Sequence, residues 1–151
     1  MNPKKRNIHL PSKDPKIFRS KINQSPFYKT IKMQLDKTGK KGSLLKIKLS
    51  RKHNNVLGIV HGGVIASLID SACSMSVVPH LRDDETIVTT GLQIQYYFSI
   101  AGEDIIGRGH VVHYGRRVAY AEAVIMDQEK KIIARGFASF LIMKKSADKG
   151  E

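Results

Sequence analysis

An α+β domain, with one long central helix wrapped by an antiparallel β-sheet, is the fold class predicted by three observations. The stretch from Gly62 to Pro79 has helical periodicity and a single charged residue, Asp70. From Thr86 to Met143 the chain reads as alternating segments separated by short polar turns. The chain has 151 residues, 41% of them hydrophobic, which fits one domain around one core.

Residues 1–24 are rich in lysine and proline and show no period, so they read as a basic N-terminal tail with a short helical turn near Pro15 to Lys21. The domain proper is expected over 25–145, with 146–151 as a disordered C-terminal tail. Ser25-Pro26 is a helix start, Ser as N-cap and Pro at N1, and a short helix follows over Phe27 to Met33. Over 43–49, Leu45, Ile47 and Leu49 alternate with Lys46 and Lys48, the pattern of a half-buried strand. Arg51 to Val60 reads as a loop. In the helix from Gly63 to Pro79, Ile65, Leu68, Ile69 and Ala72 form the apolar stripe. The opposite side (Val64, Ala66, Ser67, Cys73, Val77) is also small or apolar, so the helix is expected to be buried all round, and it is too short and polar to span a bilayer. Leu92, Ile94, Tyr96 and Phe98 then alternate with Gln93, Gln95 and Tyr97. Strands at 104–114, 117–126 and 131–143 follow, and the whole run is expected to be an antiparallel meander.

The net charge of +13 is unevenly placed. Residues 1–53 hold 16 Lys/Arg against Asp14 and Asp36, whereas the remainder holds 10 basic and 11 acidic residues. Such a flank suits polyanions or simply a solvated face. Few arginines and no interleaved aromatics argue against sequence-specific nucleic-acid readout. A single cysteine, Cys73, excludes an internal disulfide and a cysteine-rich zinc site, and it reads as core. No apolar segment follows the basic N-terminus, so a soluble, reducing, cytoplasmic setting is expected.

Asp70 is the oddest residue of the chain, a carboxylate in the middle of an apolar helix. Burial without partners is costly. Such an Asp is either bonded to Ser67, Ser71 or Ser74, or kept for general-base chemistry with its pKa raised by desolvation. At the helix start, His61-Gly62-Gly63 offers unpaired N–H groups at the positive end of the dipole, with no side chain to block a substrate oxygen. Gly62 and Asp70 are eight residues apart, about 12 Å along a helix. One reacting carbonyl cannot touch both in the same chain. If both serve one reaction, Asp70 comes from a second copy, and the chain works as a homodimer with two symmetric sites.

The run Asn55-Val56-Leu57-Gly58-Ile59-Val60-His61-Gly62-Gly63, with Asp70 seven residues on, resembles the motif of PaaI-type hotdog acyl-CoA thioesterases. The resemblance extends from about Ser25 to Met143. It implies the hotdog fold and hydrolysis of an acyl-CoA to free acid and coenzyme A. By resemblance, the Gly62 N–H polarises the thioester carbonyl, and Asn55 and His61 order the loop or the bound thioester. The partner's Asp70 then acts as nucleophile or base. Thr89 matches the hydroxyl that assists the carboxylate, although strand parity sets it with Gly91 and Gln93 unless a bulge near Gly91 re-aims it. Gly63, Arg116 and Arg117 are the expected substrate-binding residues, the arginines for coenzyme A phosphates. Dimers pairing into a homotetramer are the family's habit. No metal or cofactor is expected, and neither membrane nor nucleic acid is an expected partner.

Other chemistries find less support. There is no G-x-S-x-G elbow, no H-E-x-x-H and no P-loop. His110 and His113, three apart on a strand, are expected on opposite faces. A non-catalytic acyl-CoA-binding regulator and a hotdog hydratase are the alternatives. The acyl group, whether aryl, medium-chain or long-chain, is not legible in the residues.

Overall fold

The computed structural model describes residues 14–145. Helix α1 (Pro15–Asn23) starts where Asp14 accepts hydrogen bonds from the Lys16 and Ile17 N–H groups, and it buries Phe18 against the sheet. The turn expected near Pro15 is thus a nine-residue helix, and the first part of the expected tail lies outside the described residues. Helix α2 (Pro26–Thr30) follows the Ser25-Pro26 start and buries Tyr28. Strands β1 (Met33–Gly39) and β2 (Gly42–Ile47) form a hairpin. β1 was not expected, because a bulge at Asp36 cuts its alternation to Met33 and Leu35. A 3₁₀ turn at Arg51–His53 and a loop lead to the central helix α3 (Gly62–Val77), which ends in a second 3₁₀ turn at Val78–His80.

Strands β3 (Glu85–Tyr96), β4 (Ile105–Tyr114), β5 (Val118–Met126) and β6 (Ile132–Lys144) complete a six-stranded antiparallel sheet in the order β1-β2-β4-β5-β6-β3. This is the hotdog arrangement, a sheet curled around one helix. It corrects the expected four-strand meander, because only β4, β5 and β6 follow one another. α3 carries the chain across the sheet, so β3 lands on the far edge beside β6. The link after β3 then returns along the strand ends, where Val60 donates to Ile100 and Asp104 accepts from Leu49.

The helix is seated by its inner stripe of Ile65, Leu68, Ile69, Ala72, Cys73 and Val77, all buried. Each large apolar residue so buried contributes about 1.5–3 kcal/mol. By length and mean hydropathy Gly62–His80 passes for a membrane span, contrary to the sequence expectation; here that apolarity is spent against the sheet. Contact is close enough to demand glycine beneath it. A Cβ at Gly109 would overlap the Ala72 carbonyl, and one at Gly136 would overlap the Ile69 side chain.

Gly109→Ala should therefore destabilise the domain by the upper part of the ~1–3 kcal/mol typical of overpacking. Gly39→Ala, with open space around it, should be near neutral. Denaturant midpoints of the two variants against wild type check this, and equal midpoints would refute the seating.

Candidate active site

The N-terminus of α3 is built by its preceding loop. Asn55 closes that loop: its Oδ1 accepts from the Leu57 N–H at 2.9 Å, and its backbone pairs with Ile59 and Gly58. Gly58 sits at φ +79°, a conformation that favours glycine. His61 is the N-cap, and its Nδ1 accepts from the Gly63 N–H at 2.9 Å. That bond leaves the neutral ring's proton on Nε2. The His61 N–H donates to the carbonyl of His53, a buried residue locked by Ser50 and Ile31. His53 was missed in the sequence, although Ser50 and His53 have capping-box spacing.

These bonds single out Gly62. The Gly63 N–H is taken by His61, whereas the Gly62 N–H has no acceptor among the described residues. It points out of the first turn with the positive end of the helix dipole behind it. Tyr96 of β3, also missed in the sequence, lies across this position: its hydroxyl donates to the Gly62 carbonyl at 3.0 Å.

Asp70 lies two turns further on and is half-buried. Its Oδ1 accepts from the Thr89 hydroxyl at 2.9 Å. The neighbouring serines do not hold it. Ser67 and Ser74 donate instead to the Gly63 and Ser71 carbonyls. Thr89 reaches the carboxylate because Thr90 is an extra residue in β3, where the register slips between Thr89 and Gly91. The bulge restores Thr89 to the face of Leu92, Ile94 and Tyr96. Behind the helix, burial first and the Asp70 charge after it push the Tyr28 phenol above its usual pKa.

One side of α3 is open, which corrects the expectation of burial all round. Val64, Ala66, Ser67, Asp70, Ser71 and Ser74 are only half-buried. Beside them runs edge strand β3, with Leu92 and Tyr96 exposed. Gly62 and Asp70 both border this open face, about 12 Å apart along the helix.

Arg116 and Arg117 are not brought to this centre. They sit exposed in the β4–β5 turn, past the C-terminal end of α3, where the His80 and Tyr114 rings lie 5.5 Å apart. That end is roughly 25 Å from Gly62 of the same chain. His110 and His113 share the outer face of the sheet, opposite Glu122 and Tyr120, because a bulge at Val112 reverses the parity expected for them. Among the described residues no three His, Cys, Asp or Glu side chains converge as a metal site.

A family model described as the thioesterase superfamily matches residues 57–134. Acyl-coenzyme A thioesterase 13 of Mus musculus is 30% identical over 95 residues, 62% of this chain and 67% of the relative. Thioesterase superfamily member 2 of zebra fish superposes with a TM-score of 0.72 at 26% identity, covering 84% of this chain and 94% of its own. A thioesterase of Haemophilus influenzae shares the fold over 94% of this chain and 99% of its own, with a TM-score of 0.82 at 12% identity.

Cys73 takes no part in this centre. Burial first, then the charges of Asp70 and Glu122, push its thiol up to about 12. It should resist alkylation in the folded protein at neutral and mildly alkaline pH and react once the protein is unfolded. Mass spectrometry after iodoacetamide treatment checks this, and rapid labelling of the native protein would show a reactive thiol instead.

Proposed function

The chain belongs to the thioesterase superfamily, and from that premise we propose that it hydrolyses acyl-CoA thioesters at two symmetric sites across a homodimer. The observation that carries this reading is the placement of Asp70 on the open face of α3, aimed by Thr89 and eight residues from a helix-start N–H with no acceptor among the described residues. Neither group can serve the other's carbonyl within one chain. A two-fold axis beside α3, with the unpaired edges of two β3 strands meeting, sets the helices antiparallel and brings each Gly62 towards the partner's Asp70.

At such a site the thioester carbonyl oxygen accepts from the Gly62 N–H. The partner's Asp70 takes a proton from water as the water oxygen attacks the carbonyl carbon. The tetrahedral oxyanion is held by the same N–H and the helix dipole. Its collapse breaks the C–S bond and releases the carboxylic acid and the coenzyme A thiol, which receives the proton. The Thr89 hydroxyl fixes the carboxylate's orientation, and Tyr96 and His61 fix the turn that presents Gly62. Direct attack by the carboxylate would form an anhydride instead. Single turnover in ¹⁸O-water separates the routes, because only the anhydride route can carry label into Asp70. The chemistry asks for no cofactor beyond the coenzyme A of the substrate.

Thiol release from a panel of acyl-CoAs should fall by about 10²–10⁴-fold in Asp70→Asn. Gly62→Pro should cost about 10²–10³-fold by removing one oxyanion donor. Proline is suited to this first helical position, and His61 already has the extended backbone it requires. Refolding the two inactive variants together tests the shared site. Half the dimers become mixed and each holds one intact site, so about a quarter of wild-type activity should return. No recovery, with mixed dimers present, would sink the cross-subunit site. Absence of turnover by wild type on every acyl-CoA would sink the hydrolase for this substrate class.

A further inference from the structure

The outer face of the sheet, turned away from α3, carries a second constellation that the proposed reaction does not use. Lys37, Leu44, Arg108, Val124 and Arg135 are register partners on successive strands, so they form one row across β1, β2, β4, β5 and β6. Neighbouring strands are about 4.8 Å apart, which places the cations of the row at intervals of about 10 Å. Lys41, on the β1–β2 turn, lines the same depression, which has a volume of about 600 Å³. Its floor is apolar and half-buried, formed by Leu44, Val124, Met126 and Ile132.

The four cations are exposed, and none forms an ion pair among the described residues. The two carboxylates beside them face other partners. Asp36 lies 3.2 Å from Lys46, and Glu122 lies 3.7 Å from His110. Part of the positive excess of the first third of the chain, Lys37 and Lys41, thus meets Arg108 and Arg135 from its balanced remainder over one apolar patch. The volume lies within the roughly 300–1,000 Å³ of small-molecule sites. An apolar floor ringed by two guanidinium forks and two ammonium groups suits a flat ring bearing several phosphates.

We propose that this depression is a binding site for a phosphorylated nucleotide, separate from the Asp70–Gly62 centre. The ring lies on Val124, Met126 and Ile132, between the Arg108 and Arg135 guanidinium groups, and the phosphates run from Arg108 over Leu44 towards Lys37 and Lys41. Calorimetric titration of the full chain with ATP, ADP and adenosine tests it. Affinity should rise with the number of phosphates and fall as salt is added. Arg108→Gln/Arg135→Gln should weaken ATP by at least about tenfold, since each lost charge-assisted contact is worth that or more. Both residues are exposed, and an unchanged Tm confirms that the variant is folded. Displacement of ATP by coenzyme A, and not by pantetheine, would make the adenosine-phosphate end of a thioester the ligand. Failure of coenzyme A to displace it leaves a free nucleotide. No saturable ATP binding, equal affinity in the double variant, or binding of a single-stranded oligonucleotide in place of ATP would overturn the proposal.

Discussion

The contact between α3 and the glycines beneath it is the constraint on which the rest of this structure depends. A helix resting directly on strand backbone at Gly109 and Gly136 has its height, azimuth and translation fixed by hard repulsion. From that seat the helix reaches the far side of the sheet, and β3 must take the remaining edge next to β6. The same seat turns Asp70 away from the core stripe towards that edge. Thr89 can then meet the carboxylate, and Tyr96 the first turn.

The helix and the residues of the candidate site were legible in the sequence as candidates. Asp70 stands out because no other charge interrupts an apolar helix, and His61-Gly62-Gly63 because glycines at a helix start leave amides bare. The eight-residue separation needs only the helical rise to become a geometric argument. Strand order was not legible, because period-two alternation in β3 says nothing about which neighbour it pairs with. Parity failed wherever a strand carried an extra residue. The bulge at Val112 put His110 and His113 on one face, and the bulge at Asp36 hid β1 altogether. Tyr96 escaped for a different reason: its hydroxyl reaches a backbone carbonyl remote in sequence, and no spacing rule records that.

The open face of α3 looks different once the family is known. Taken as a lone chain, half-exposed Val64 and Ala66 beside exposed Leu92 would be a poorly finished core. The apolar run that suggested burial all round remains informative. In the proposed homodimer a second copy covers that side, and the apolar run fits the helix in that setting, since the single chain covers only its other side.

Bulges also bear on how such a chain can change over generations. Because side chains alternate along a strand, Thr90 acts as a one-residue phase shifter between two halves of β3. Upstream of it lies Thr89, against the carboxylate; downstream lie Leu92, Ile94 and Tyr96, against the helix and its first turn. Deleting a single codon here would leave strand, sheet and helix intact in outline yet rotate one half of β3 to the wrong side. A one-residue length change is therefore closed to this lineage unless a second indel nearby restores the phase. Substitution away from Thr89 and Tyr96 faces no such barrier, so the rest of the strand can wander in composition while its length stays fixed.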